Sequence, residues 1–220
     1  LPWFAMTALF HSVVVLEKRN LLYFWAIILC LITFTLSVTG TFLVRSGILN
    51  SVHTFANDPS RGLYILIFLS LMIFLALIVF FRYSKKEEYN FLLKSKETLI
   101  LANNWFMFFF LTAVMIGTLY PIILEVLNNT KISVGPPFYS AVIFPFVIPF
   151  LIFMALGPKI NWIKNKYKEF LSNFLILIAA IILNFLIYFL LGKYSIISNL
   201  IIISSIFLII HSVKDLLTFF

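Results

Sequence analysis

The chain has 220 residues, a net charge of +8 and one cysteine; 63% of its residues are hydrophobic and 11% are charged. Soluble domains are about a quarter charged. This composition and a mean hydropathy of +1.10 therefore exclude a soluble globular protein and indicate an integral membrane protein. The apolar runs are long and do not alternate strictly, which predicts an all-α, polytopic helical bundle. A single cysteine also excludes a disulfide framework and a cysteine-based metal site.

Seven membrane spans are predicted in chain order, at residues 1–16, 21–44, 63–81, 104–124, 138–156, 171–191 and 196–210. The first is shorter than the roughly 20 residues that a crossing needs. Because the first residue is Leu1 rather than Met, we expect a fragment of a larger protein, with further residues before it. The pattern predicts one transmembrane domain over 1–220.

Proline and polar residues predict where some spans begin, bend and end. Pro59 after Asp58 indicates a helix start, with the aspartate as N-cap. Pro145 and Pro149 are expected to kink the fifth span. The seventh span is short, and its pattern allows a continuation through His211 into a C-terminal tail.

The positive charges predict the orientation, because Lys and Arg accumulate in cytoplasmic loops. The odd-numbered connections contain most of them: Lys18, Arg19, Arg82, Lys85, Lys86, Lys94, Lys96, Lys159, Lys164, Lys166 and Lys168. The even-numbered connections contain Arg45, Arg61, Lys131 and Lys193. The odd connections are therefore predicted to face the cytoplasm or its equivalent. Topology thus explains the net charge, and no nucleic-acid partner is expected.

Two connections are long enough to have a role of their own. The 45–62 loop, which contains His53, is predicted to face outside. The 82–103 loop mixes charged with apolar residues. It is predicted at the inner face, either as an amphipathic segment along the membrane surface or as a solvated loop helix.

Histidines are the candidate metal ligands. His11 lies within the first span, where an ionisable side chain is a candidate functional residue and haem is the metal centre that suits an apolar cleft. A hydrogen bond to a neighbouring helix is the alternative. His53 lies in the outer loop, where a solvated histidine is the alternative. His11 lies within roughly 9 Å of the inner face by helical rise, so the two are predicted to bind different irons. His211, at the start of the tail, is expected to have no ligand role.

Arg45 and Arg61 flank the outer loop. Each guanidinium could pair with a carboxylate such as a haem propionate. The alternative is that both extend to the lipid headgroups and serve only topology. Acidic residues are scarce within the spans, and Glu125, at a span end, is the only candidate for a proton or ion path.

Four stretches follow one another along most of the chain: LPWFAMTALFHS, GTFLVRSGILNSVHTFANDPSRG, GTLYPIILE and ISVGPPFYSAVIFPFVIPFLIFMALGP. In this order they resemble the CcmF-type haem lyase family (CcmF/NrfE) of cytochrome c-type biogenesis. The second stretch is the most specific, because it holds Arg, Ser, Gly, His, Asp and Pro at fixed spacing. The separation between His11 and His53 also fits the family's pattern.

The resemblance implies a multi-pass protein of the bacterial inner membrane or its mitochondrial equivalent. Members of the family take haem from the membrane haem chaperone CcmE and attach it by thioether bonds to the Cys-x-x-Cys-His thiols of apocytochrome c, with a thiol-reducing CcmH-type partner. By this resemblance His11 is an axial ligand of a resident intramembrane haem b. His53 is one of two external histidines that hold the transient haem substrate, with Arg45 and Arg61 shaping its surroundings.

The chain also departs from the family's pattern. The family's tryptophan-rich segment and first external histidine would precede Leu1, and its second intramembrane histidine would come later than His211. The chain therefore holds one ligand of each pair, and we interpret it as one piece of a haem lyase that is inactive alone. The rival interpretations are a polytopic transporter or structural membrane subunit, whose histidines only pair helices, and a nonfunctional remnant.

Overall fold

The computed structural model describes residues 1–46, 59–83, 95–130, 132–160, 162, 170–192 and 195–219. Within these ranges the chain forms seven α-helices, one 3-10 turn at Gly157–Lys159 and no strand. The helices are α1 (Pro2–Arg19), α2 (Tyr23–Arg45), α3 (Pro59–Tyr83), α4 (Lys96–Asn128), α5 (Pro136–Leu156), α6 (Phe170–Leu191) and α7 (Ile196–Phe219). The predicted all-α, polytopic membrane protein is confirmed.

Six of these helices, α2 to α7, are long and apolar enough to cross a membrane. Helix α1 is the exception among the described helices, because its 18 residues end in Glu17, Lys18 and Arg19. It corresponds to the first predicted span, which is shorter than a membrane crossing requires. Each of the seven helices matches one predicted span in order.

Two helix boundaries differ from the predicted ones. Helix α4 begins at Lys96, so the end of the predicted 82–103 loop is helical. Its start is fixed by a cap, since the backbone N–H of Thr98 donates to Ser95 Oγ at 3.4 Å. Lys96 Nζ also donates to the Pro158 carbonyl at 3.4 Å. Hydropathy placed the boundary too late because it follows the apolar residues and not the backbone hydrogen bonds.

Helix α7 is longer than predicted and continues to Phe219. His211, expected at the start of a tail, is therefore a helical residue, and only 1% of its surface is exposed. At the other boundaries, the structure begins α3 at Pro59, whereas the predicted cap residue Asp58 lies outside the described residues. Helix α5 includes Pro145 and Pro149, and the kink expected there stays a prediction.

The helices divide into two compact units, which we call unit 1 and unit 2. Unit 1 comprises Leu1–Asn90 and Met107–Gly135, and unit 2 comprises Phe91–Phe106 and Pro136–Phe220. In unit 1, α2 packs between α1 and α3, and in unit 2, α7 packs against α5 and α6. Helix α4 contributes to both. The hydropathy pattern, which predicts one transmembrane domain, does not show this division.

Small side chains form the buried face of α1, which packs against α2 in unit 1 among its neighbours. Ala5, Ala8, Ser12 and Val15 are all buried and recur every three or four residues, which places them on one face of α1. Small residues let helix backbones approach closely in lipid, where the hydrophobic effect does not drive helix pairing. The remaining faces of α1, including that of His11, are left outside this contact.

A glycine brings the end of α2 close to the start of α3. A Cβ atom added to Gly62 would lie 3.0 Å from the Ser46 Cα and 3.2 Å from its Cβ. Gly62 is buried, and a larger side chain has no space there without a shift of the α2 backbone. This close approach holds together the two helix ends that flank residues 47–58.

We expect Gly62→Ala to lower the free energy of unfolding by about 1–3 kcal/mol, because the new methyl group overpacks the contact with Ser46. The matched control is Gly40→Ala in α2, where an added Cβ meets nothing within 4 Å. This control should raise stability by about 0.5–1 kcal/mol, as Gly→Ala does inside a helix. Chemical unfolding in detergent micelles measures both, and equal effects of the two substitutions would contradict the close approach.

Candidate functional site

His11 lies near the middle of α1 and is exposed. Its Nδ1 is 2.7 Å from the Thr7 carbonyl oxygen. Since a carbonyl only accepts, Nδ1 carries the proton and donates it, and Nε2 of the neutral ring keeps its lone pair. Nε2 has no hydrogen-bond partner within the described residues. The ring is thus oriented by its own helix and presents a nitrogen that can bind a metal.

Exposed apolar side chains lie on the same side of α1 as His11. Trp3 is 68% exposed, Phe10 is 61% exposed and Val14 is 43% exposed. Over the described residues, no group of three or more His, Cys, Asp or Glu side chains could hold a metal ion. A haem iron needs only axial ligands, because the macrocycle supplies the other four nitrogens. One neutral imidazole in an apolar setting fits a haem and does not fit a hydrated metal ion.

The two candidate arginines lie at neighbouring helix ends. Arg45 is the last residue of α2 and Arg61 is in the first turn of α3; both are exposed. The contact between Ser46 and Gly62 brings these ends together. The structure therefore places two guanidinium groups on one side of unit 1, at the two ends of the segment that contains His53. His53 itself lies outside the described residues.

The structure separates His11 from the arginines along the helix axes. Helices α1 and α2 are consecutive and packed together, joined by a short turn after Arg19. At 1.5 Å per residue, His11 is about 12 Å from the Arg19 end of α1, and Arg45 is about 33 Å from the start of α2. Arg45 and Arg61 therefore form a group apart from His11, and the difference in depth between His11 and His53 stays a prediction.

Comparison with known proteins identifies relatives along most of the chain. No protein-family model matches it. The cytochrome c-type biogenesis protein CcmF of Pseudomonas aeruginosa is 40% identical over 182 residues, which is 82% of this chain and 28% of the relative. CycK of Bradyrhizobium diazoefficiens is 44% identical over 164 residues, 74% of this chain and 25% of the relative. CcmF of Escherichia coli is 37% identical over 191 residues, which is 85% of this chain and 29% of the relative.

The chain belongs to the CcmF family of cytochrome c-type biogenesis proteins. It spans 25–29% of the length of the relatives named above. A solved structure named Cytochrome c Heme Lyase CcmF superposes with a TM-score of 0.66 and covers 97% of this chain and 32% of that chain. At 24% identity this likeness shows the fold alone, and it shows that the helices are arranged as in a CcmF protein.

This CcmF-family chain also contains a buried polar cluster in unit 2. His211 Nδ1 is 3.0 Å from the Phe207 carbonyl oxygen, and its Nε2 is 3.1 Å from Asn173 Oδ1. Nearby, Lys214 Nζ donates to Ser172 Oγ at 2.8 Å, which again joins α7 to α6. From the sequence, His211 is expected to have no ligand role, and its burial is not foreseen. Its spacing of four from Phe207 was the available signal, because this spacing continues the buried face of α7.

The two described histidines therefore differ in the second ring nitrogen. In both, Nδ1 is within hydrogen-bond distance of the backbone carbonyl oxygen four residues earlier. His11 leaves Nε2 without a partner in the described part of the chain, whereas Nε2 of His211 lies against a side chain of α6. Of the two, only His11 has a nitrogen available for a ligand, and His211 has a structural role.

We expect His211→Leu to lower the free energy of unfolding by about 1–3 kcal/mol, since it removes the hydrogen bond between α7 and α6 from a buried site. The neighbouring control is Ser212→Ala, because Ser212 is exposed and its hydroxyl bonds only to Leu208 of its own helix. The control should change stability by less than about 0.5 kcal/mol. Thermal unfolding of the purified protein distinguishes the two, and an unchanged His211→Leu melting temperature would argue against the cluster's structural role.

Proposed function

We propose that this chain is the part of a cytochrome c haem lyase that supplies one axial ligand to a resident haem b and one ligand to the haem being attached. The observation that carries the proposal is the orientation of His11, whose Nδ1–H is bonded to Thr7 and whose Nε2 is left available on an apolar face. The names of the relatives support the general role in cytochrome c-type biogenesis.

His11 acts as the ligand within the membrane. The hydrogen bond from Nδ1 to the Thr7 carbonyl fixes the tautomer and makes Nε2 a better donor to iron. The exposed rings of Trp3 and Phe10 provide an apolar surface beside it. A haem b held there by His11 would supply one-electron chemistry, with which the iron of the incoming haem could be reduced. The second ligand of this haem belongs to the rest of the protein.

His53 acts as the ligand on the outer side. Arg45 and Arg61 each form charge-assisted hydrogen bonds with a propionate of the transient haem, since a guanidinium matches a carboxylate in geometry and charge. The contact between Gly62 and Ser46 supports this role, because it keeps the two helix ends that carry the arginines together. The loop between them thus receives the haem substrate.

The reaction joins haem to apocytochrome c. Each cysteine S–H of the Cys-x-x-Cys-His segment adds across one haem vinyl group, so that an S–C bond forms and the proton ends on the adjacent vinyl carbon, with no net change in redox state. Both thiols must be reduced beforehand, which requires a thiol-reducing partner of the CcmH type. The haem comes from the chaperone CcmE, and the reaction takes place at the bacterial inner membrane or its mitochondrial equivalent.

We expect His11→Ala in the full-length protein to abolish the reduced-minus-oxidised absorption spectrum of a bis-histidine haem b, because the iron loses its Nε2 ligand. Added imidazole should restore the signal by filling the vacated position. The matched control is Thr7→Val, which removes a hydroxyl bonded to Trp3 but keeps the backbone carbonyl that orients His11. A haem b spectrum that persists unchanged in His11→Ala would refute the ligand role.

We expect His53→Ala to stop cytochrome c maturation, because the haem substrate loses its iron ligand on the outer side. Covalent haem on apocytochrome c, stained after denaturing electrophoresis, measures the product. The resident haem b spectrum should remain, which separates this variant from His11→Ala. Ser51→Ala, in the same loop, is the control and should mature cytochrome c normally. Normal maturation in His53→Ala would show that another residue holds the incoming haem.

A further inference from the structure

An apolar groove runs between α2 and α3 in unit 1. Its volume is about 390 Å³. Its walls come from the first part of α2 and the last part of α3, which are neighbours because the two helices are antiparallel. The residues that line it are Tyr23, Phe24, Ile27, Leu31, Met72, Leu75, Ala76, Val79, Phe80 and Tyr83. Its lining is almost entirely apolar, and both helices that form it are long and apolar enough to cross a membrane.

Aromatic and positively charged residues mark one end of the groove. Tyr23 and Tyr83 line it at the beginning of α2 and the end of α3, and tyrosines favour the depth of the lipid headgroups. Arg82 lies between Val79 and Tyr83 at the end of α3 and is exposed. Arg82 has no ion pair within the described residues. This end is the one predicted to face the cytoplasm.

The short turn before α2 adds further positive charge at the same end. Lys18 and Arg19 close α1, four or five residues before Tyr23. Lys18 is 3.7 Å from Glu17, but both side chains are more than half exposed, and such a surface pair contributes about 0–1 kcal/mol. Lys18 thus remains available to an anion. The groove therefore has apolar walls, and positively charged residues lie near the end that is predicted to face the cytoplasm.

We propose that this groove binds an anionic phospholipid, with one acyl chain between α2 and α3 and the phosphate beside Arg82 and Lys18. Basic pockets between helices on the cytoplasmic side favour anionic headgroups, and arginine matches a phosphate with two parallel hydrogen bonds. The charges select the headgroup, whereas the apolar walls accept the chain of any lipid. The proposal does not depend on the proposed haem chemistry.

A second groove, in unit 2, shows why charge is the deciding feature. Its volume is about 460 Å³ and its lining includes Asn173 and Ser204. Each described lysine of this unit has a partner: Lys159 is 3.6 Å from Asp215, Lys214 donates to Ser172 and Lys96 donates to the Pro158 carbonyl. Within the described residues this groove therefore combines no unpaired lysine with its apolar walls, and we assign it no anionic lipid.

The test uses the full-length protein in detergent with phosphatidylglycerol or phosphatidylcholine of identical acyl chains. Native mass spectrometry counts the lipids retained by each protein molecule. We expect wild type to retain more phosphatidylglycerol, and Arg82→Gln to reduce this retention about fivefold, the effect of one arginine near an anionic headgroup. Arg82→Lys should keep most of it. Lys214→Gln removes the same charge from unit 2 and should retain as much phosphatidylglycerol as wild type.

A second variant tests the apolar part of the site. Ala76→Phe fills the middle of the groove and should reduce retention of both lipids, while a circular dichroism spectrum like that of wild type shows that the helices remain folded. Equal retention of the two lipids by wild type, or full phosphatidylglycerol retention by Arg82→Gln, would overturn the proposal. A loss in Lys214→Gln equal to that in Arg82→Gln would also overturn it, because net charge and not the groove would then explain binding.

Discussion

In hydrocarbon every polar group needs a partner from the protein itself, and this constraint governs the structure. The backbone meets it by forming helices. Polar side chains in the spans meet it in the same way, by donating to the carbonyl four residues earlier. Thr7, Ser12, Thr33, Thr112 and Ser212 all do so. Such side chains are satisfied within their own helix and contribute little to pairing between helices.

Helix pairing uses small residues in both units. In unit 1 small residues and a glycine allow close packing, as at Ala8 and Gly62. In unit 2 the buried core contains Ala155 and Ala180, and hydrogen bonds also join α6 to α7. Asn184 Nδ2 donates to Asn199 Oδ1 at 3.2 Å, and His211 lies against Asn173. His11, the described candidate ligand, lies in unit 1.

The same constraint explains why His11 stands out. An imidazole has two ring nitrogens, and only one of them can use the carbonyl of its own helix. The other must find a partner elsewhere, as His211 does in α6. Nε2 of His11 has no such partner in the described part of the chain, and it lies on an exposed apolar face of a membrane protein. In the function proposed above, a haem iron would satisfy this nitrogen without a second polar side chain.

The sequence by itself determined the class of protein, the order of the helices and the motifs that place the chain in the CcmF family. Hydropathy was sufficient for this because every span must be apolar along its length. The apolar spans it gives, 104–124 and 196–210, are shorter than α4 and α7, since Lys96 and Lys214 lower the hydropathy while the helical hydrogen bonds continue. His11, Arg45 and Arg61 could be named from position and charge alone.

Only the tertiary structure decided which of these residues are neighbours. The burial of His211 depends on α5 and α6 packing around α7, and the pairing of Arg45 with Arg61 at one side depends on the contact between Ser46 and Gly62. The groove between α2 and α3 likewise exists only because residues about fifty positions apart meet across an antiparallel pair. These features come from contacts between helices, and hydropathy records only the preference of each segment for lipid over water.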